Sequence, residues 1–226
     1  MSEIELPLFP LPIVVFPGTP QPLHIFEPRY RQLLDDCLAG DHRFGLTVIE
    51  EKKLGDNTPH PGDVGCVTRI TSHDKLSDGR SNVLTVGEDR FVMHGLVDRD
   101  RLYFIGLIEP FHDVADHDPQ LPTAAERLRA AFTEFAKAFH KIDPRTQEPL
   151  ELPQNPEQLS FHVAAALPVD LDTKVSLLRL TSTSARLGQL RRLTEAKNEE
   201  IAHWTSTSRS ARRNGKPKRN PAVSAE

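Results

Sequence analysis

The residues most able to do chemistry are the histidines and acids that fall close together. His112-Asp113 with Asp116-His117-Asp118 sets two imidazoles and three carboxylates within seven positions, a donor set of the kind that holds hard or borderline metal ions. The same stretch reads more simply as an acidic linker, which offers no fixed coordination geometry, and no metal is expected there. His73-Asp74-Lys75 followed by Ser77 places a base, an acid and a hydroxyl nearby, but Ser77-Asp78-Gly79 is turn chemistry and predicts an exposed hairpin loop. Cys37 and Cys66 lack the paired spacing of a zinc site and read as small buried hydrophobes. The chain contains no GxxxxGK[ST] loop for phosphates, no HExxH zinc helix and no GxSxG nucleophile turn. Neither a catalytic set nor a cofactor is therefore expected.

What remains is surface, and the elements decide its shape. Residues 6–30, LPLFPLPIVVFPGTPQPLHIFEPRY, hold seven of the nineteen prolines among large apolar side chains. Proline removes a backbone donor and pushes the preceding residue toward extended geometry, so this stretch predicts a rigid, partly buried β edge with a turn at Pro17-Gly18. Glu27-Pro28 opens a helix. Tyr30, Leu33, Leu34, Cys37 and Leu38 recur at helical spacing, and Gly40 stands where a left-handed terminating residue is wanted. Strand-like runs follow at 44–49, 64–70, 83–86, 91–97 and 102–108, separated by turn residues such as Asp56-Asn57 and Asp98-Arg99-Asp100. Six or more strands against one helix predict an antiparallel sheet that curls over that helix.

Beyond an acidic linker at 111–119 the pattern turns helical. Thr123 and Glu126 are spaced as a capping box, ahead of the stripe Leu128, Ala131, Phe132, Phe135 and Phe139. Asn155-Pro156 opens a second helix, and Asp170 or Asp172 caps a third. The last and longest helix carries Leu187, Leu190, Leu193, Lys197, Ile201 and Trp204 down one side, and is expected to stop before the cluster 205–208. Its apolar seam is expected to fold back on the other helices, with a partner-binding coiled-coil strand as the alternative. Trp204 either caps the bundle or serves as an exposed contact.

The totals of 226 residues, 38% hydrophobic and 27% charged, suit a globule with a real core. No apolar run approaches the roughly 20 residues of a membrane span, and the opening residues lack a secretory signal, so a cytoplasmic protein is expected. The net charge of −4 is uneven. From Ser206 onward there are six basic residues and one acid; removing them from the totals of 28 and 32 leaves 22 and 31, or −9 for the body. An acidic body repels phosphate backbones, and residues 206–226 are expected to be a disordered basic tail.

An ordered set of motifs resembles the N-terminal, substrate-recruiting domain of Lon proteases, in its standalone form without ATPase or protease domains. It comprises Pro7-Leu8-Phe9-Pro10-Leu11, Phe16-Pro17-Gly18, Ile25-Phe26-Glu27-Pro28-Arg29-Tyr30, Phe44-Gly45, Val64-Gly65-Cys66-Val67-Thr68-Arg69-Ile70, Asp78-Gly79-Arg80 and Gly87-Glu88-Asp89-Arg90-Phe91. These cover the first half of the chain; the helical half matches only in pattern. The resemblance implies an α+β protein: a curled β domain of the PUA-like pseudobarrel kind over 1–118, a helical bundle over 119–205, then the tail. It also implies a non-enzymatic module that binds unfolded polypeptides or a protease partner in protein quality control. Phe9, Phe16, Phe26 and Tyr30 read first as core. The candidate protein-binding residues are nevertheless Phe16 and Phe26 as an apolar pocket, rimmed by Glu27, Arg29 and Arg31, which by the resemblance belong to the surface facing substrate. The alternative function is an RNA-binding module using the PUA-like sheet and the basic tail, distinguished by a steep loss of affinity with salt.

Overall fold

The computed structural model describes residues 3–48, 58–144 and 151–213, with only the backbone at 208–213. Among the described residues, six strands and five helices follow one another as β1 (Ile4–Leu11), β2 (Pro20–Ile25), α1 (Pro28–Ala39), β3 (Arg43–Val48), β4 (Val64–Lys75), β5 (Ser81–Val97), β6 (Phe104–Phe111), α2 (Leu121–Ile142), α3 (Pro156–Ala166), α4 (Leu171–Arg179) and α5 (Thr183–Arg213). The chain divides into two compact units: residues 1–115 with 164–182, and residues 116–163 with 183–226. All six strands lie in the first unit, together with α1 and α4.

The strands form one sheet in the order β2-β5-β4-β3-β1-β6, and a further pairing of β5 with β6 closes five of them into a ring. Among the described residues, β2 pairs with β5 alone. The pairing is mixed rather than wholly antiparallel, because β1 runs parallel to β3, with Leu8 opposite Gly45 and Leu11 opposite Val48. Such a pair needs a long crossover, which β2 and α1 supply. The proline-rich β1 is no edge either. Leu8–Leu11 pair with β3 and Ile4–Leu8 with β6, so each half of β1 has one unpaired flank. Pro7 and Pro10 fall in different halves, which is how a strand inside a sheet tolerates residues lacking a donor.

The runs 83–86 and 91–97 are one strand, not two. β5 continues through Gly87-Glu88-Asp89, pairing with β2 along Ser81–Val86 and with β6 along Arg90–Val97. Register shifts at Cys66/Thr68, Ile70/Ser72 and Met93/Gly95 supply the bends that closure requires. Inside the ring sit Leu6, Leu8, Val67, Phe91, Met93 and Ile108. Room for them comes from glycine: a Cβ at Gly45 would stand 2.9 Å from Leu8 and Phe91, and one at Gly65 2.4 Å from Phe91.

On the opposite face of the sheet, α1 buries Tyr30, Leu33, Leu34 and Cys37 against Phe9, Ile25, Phe44, Cys66 and Val83. Phe9 and Tyr30 stack at 3.8 Å between centroids. The helix ends without a left-handed glycine. Gly40 has φ −109°, and His42, at φ 65°, takes the left-handed conformation while both amides donate to the Cys37 carbonyl.

Helix capping departs from expectation a second time at the start of α2. α2 starts at Leu121, with Gln120 as its N-cap and no side-chain capping bond, so Thr123 lies inside the helix and Glu126 pairs with Arg129 at 3.3 Å. Elsewhere Asn155 Oδ1 accepts from the Gln158 amide at 3.0 Å, and Asp170, not Asp172, caps α4 by accepting from the Thr173 amide at 2.8 Å. In the second unit α2, the start of α3 and α5 bury Leu128, Phe132, Phe135, Leu159, Phe161, Leu187 and Leu190. α5 runs on through 205–208 to Arg213, so the first part of the expected tail is helical. Residues 214–226 and the Asp56-Asn57 turn lie outside the described residues.

Candidate functional site

The first residues to place are those expected to bind protein. Phe16 is fully buried. Its backbone is fastened by Thr19, whose hydroxyl donates to the Phe16 carbonyl at 2.7 Å, and it crosses β5 so closely that a Cβ at Gly87 would stand 2.3 Å from the Phe16 oxygen. Phe16 therefore contributes nothing to a surface pocket. Phe26 does the opposite of the core residue it resembles in sequence: it is 56% exposed and its ring stacks on His24 at 6.1 Å.

Glu27 and Arg29 meet at 2.9 Å, both half-buried, and the Arg29 guanidinium lies 4.5 Å over the Tyr30 ring. Burial raises the Tyr30 pKa, partly offset by the Arg29 charge. Arg31 turns to the β4–β5 hairpin, where its Nη1 would stand 3.1 Å from a Cβ on Gly79. Its Nε is buried and has no hydrogen-bond partner among the described residues. Four of the five expected residues are thus held near the surface around the start of α1.

Alternation along β2 exposes Pro20, Pro22 and His24, continuing into Phe26, while Leu23 and Ile25 face inward. Register then aligns two rows across three strands: Pro22, Leu84 and Ser72 form one, and His24, Asn82 and Asp74 the next. These six residues line a groove of about 410 Å³. Leu84 is 40% exposed. His24 Nε2 lies 3.5 Å from Arg80 Nη1, which can only donate, so Nε2 accepts and Nδ1–H donates to Asn82 Oδ1 at 2.8 Å. Arg80 in turn is held by Asp78 at 2.6 Å, and that contact lowers the Asp78 pKa to about 2.

The free edge of β2 is chemically lopsided. Thr71 Oγ1 donates to the Leu84 carbonyl from the β4 side, and the Gly87 amide donates to the Thr19 carbonyl on the β2 side. By alternation, Ser81, Val83 and Thr85 turn their backbone groups toward Ile25, Leu23 and Gln21. Pro20, Pro22 and His24 therefore point theirs outward, giving three carbonyls but a single N–H.

The histidine-acid sets are occupied elsewhere. Asp113 binds the buried Arg90 at 2.5 Å, and that guanidinium also donates to the Leu178 and Leu180 carbonyls and stacks on Phe111 at 4.5 Å. Asp116 accepts from the Ser184 amide at 2.8 Å. His73 sits 3.0 Å from the Ser81 hydroxyl across the hairpin. Among the described residues, no group of three or more His, Cys, Asp or Glu could hold a metal ion. A second groove, of about 420 Å³, at Arg99, Asp100, Arg101, Tyr103 and Ile105 has its arginines paired with Glu5 and Asp36. No helix among the described residues is long and apolar enough to cross a membrane.

Sequence reasoning missed Pro22, His24, Ser72, Asp74, Asn82 and Leu84. The alternation of β2 was a readable signal, but which residues stand beside it depends on the register with β5 and β4.

A mixed six-stranded sheet closed on itself, with five helices, is the architecture of Lon N-terminal domains. The N-terminal domain of a Mycobacterium avium complex Lon protease matches with a TM-score of 0.64 at 16% identity, covering 85% of this chain and 98% of that one. A Lon N-terminal domain protein from Xanthomonas campestris gives a TM-score of 0.58 at 24% identity, covering 83% and 96%. The family described as the ATP-dependent protease La (LON) substrate-binding domain matches residues 5–195, and the chain belongs to that family. Lon protease 1 of Syntrophobacter fumaroxidans is 29% identical over 193 residues and Escherichia coli Lon protease 28% over 207, covering 84% and 86% of this chain. The chain spans about a quarter of the length of each, 23% and 25%.

Proposed function

We propose that this protein is a non-catalytic polypeptide-binding module, acting in the cytoplasm in protein quality control, and that it holds unfolded segments or a protease partner on the outer face of β2, β5 and β4. The observation that carries this is that Pro22 and Leu84 line an open groove with Phe26 exposed just beyond the end of β2, on a domain of the substrate-binding family. Large apolar side chains on a rigid sheet offer contact area with little ordering cost, and Glu27, Arg29 and Arg31 supply a polar rim at the start of α1.

The test is capture of a permanently unfolded protein, such as reduced and carboxymethylated α-lactalbumin, on immobilised full-length chain. Replacing Phe26 and Leu84 together by serine should remove most of the capture while leaving the melting curve within about 0.5 kcal/mol of the parent, because both side chains are exposed. Reversing charge at Arg29 and Arg31 should weaken capture to a lesser degree. Unchanged capture by the serine pair removes this face from the function. Binding of homopolymeric RNA that falls steeply with salt would replace the polypeptide by a nucleic acid. Release of peptide fragments or turnover of ATP by the purified chain would overturn its non-catalytic role.

A further inference from the structure

The groove carries one formal charge, that of Asp74. Asp74 is exposed, and among the described residues its carboxylate makes no hydrogen bond or ion pair. The neighbouring charges are accounted for: Arg80 is held by Asp78, and Lys75, the next residue along β4, belongs to the opposite face. The chain outside the basic tail is acidic as well, at −9. We infer that the groove selects extended segments in which an apolar side chain is followed two residues later by lysine or arginine. This selectivity rests on the polypeptide-binding function proposed above.

The spacing comes from the sheet. Leu84 is opposite Ser72 and Asn82 is opposite Asp74, so Leu84 and Asp74 are diagonal neighbours. Such positions are roughly 7–8 Å apart. Alternate residues of an extended chain stand roughly 6.6–6.8 Å apart on one face. An apolar side chain resting on Leu84 and Pro22 thus brings the side chain two positions on over Asp74.

The lopsided edge of β2 favours this mode over strand addition. A peptide laid along β2 would find carbonyls at Pro20, Pro22 and His24 but only the His24 N–H, leaving its own carbonyls opposite the prolines without donors. Lying across the strands avoids that loss. Asn82 accepts from His24 through Oδ1, and its amide nitrogen, unpartnered among the described residues, is available to a peptide carbonyl.

The experiment uses the full chain and three fluorescein-labelled Gly/Ser peptides carrying Phe-Ser-Lys, Phe-Ser-Gln or Phe-Ser-Glu repeats, with binding followed by anisotropy at low salt. The lysine peptide should bind roughly two- to five-fold tighter than the glutamine peptide, the range of an exposed charge pair, with the glutamate peptide weakest. Asp74→Asn should bring the three to one Kd, and Phe26→Ser should weaken all three alike. Equal affinities for the parent chain, or a lysine preference that survives Asp74→Asn, overturn the selectivity. If none of the peptides binds while the chain still captures unfolded α-lactalbumin through Phe26 and Leu84, the charge rule fails and the polypeptide-binding function stands. If capture is indifferent to Phe26 and Leu84, both fall.

Discussion

At the scale of single residues, two side chains and one missing side chain hold the sheet unit together. Arg90 and Asp113 are 2% and 6% exposed, so removing either charge leaves the other buried without its counter-ion. Arg90→Met should destabilise the chain by about 3–5 kcal/mol in urea unfolding. Gly87 tolerates no Cβ beside the Phe16 carbonyl, and Gly87→Ala should cost about 1–3 kcal/mol by forcing β5 away from the turn at Pro17-Gly18. Tyr103 donates to Asp36 at 2.8 Å, and burial, with that bond, pushes its pKa up from 10.0 to about 12. A raised pKa means the folded state holds the proton more tightly. Its contribution is therefore complete below pH 10 and lost as pH rises toward 12. Cys37, raised by burial from 9.0 to about 12, titrates across the same range, so Tyr103→Phe should make the alkaline fall in melting temperature shallower without abolishing it. The sequence displayed Arg90, Gly87 and Phe16 as motif residues but not what they touch. Phe16 and Phe26 look alike in one dimension, each beside a proline or an acid, and only three-dimensional pairing buries the first and exposes the second.

At the scale of elements, helices were the most legible because their evidence is local. The apolar spacing of α1 and the caps Asn155 and Asp170 act within a few residues. The strands were legible as segments but not as partners. Nothing within residues 4–11 says that β1 runs parallel to β3 across an intervening strand and helix, and the acidic stretch 87–89 reads as a turn although Glu88, partly buried, binds both Arg43 and Arg69 across the sheet. The groove depended on that missing register. β2 invites a direct test of its own: exchanging Pro20 and Pro22 for threonine restores two outward N–H groups and converts the edge into a complete pairing template. Size-exclusion chromatography with light scattering should then show stronger concentration-dependent self-association than in the parent chain.

For the whole molecule, the first unit is discontinuous, since α4 lies some fifty residues beyond Ala115 in sequence yet belongs with the strands. Leu177 and Leu178 are buried in α4, and Arg90 donates to the carbonyls that follow. A fragment ending at residue 118 should therefore unfold at lower urea than the full chain, because it strips Arg90 of two acceptors and exposes the apolar surface under α4. Near-identical midpoints would show that the strands and α1 suffice. The run of strands followed by a run of helices, together with the family resemblance, pointed to an α+β chain, and the sheet with its helices bears that class out. The return of α4 was invisible because its partner is a buried arginine nearly ninety positions earlier.

Leu8 and Phe91 plug the middle of the ring, packed into the space that Gly45, Gly65 and Gly106 leave open. A barrel stoppered in this way can carry no cargo within it, so whatever it grips must be gripped from outside. The groove rows of β2, β5 and β4 share no residue with that stopper. A library randomised at Pro22, Ser72, Asp74, Asn82 and Leu84 should retain foldedness while its members diverge in what they retain, making this small module a rewritable grip.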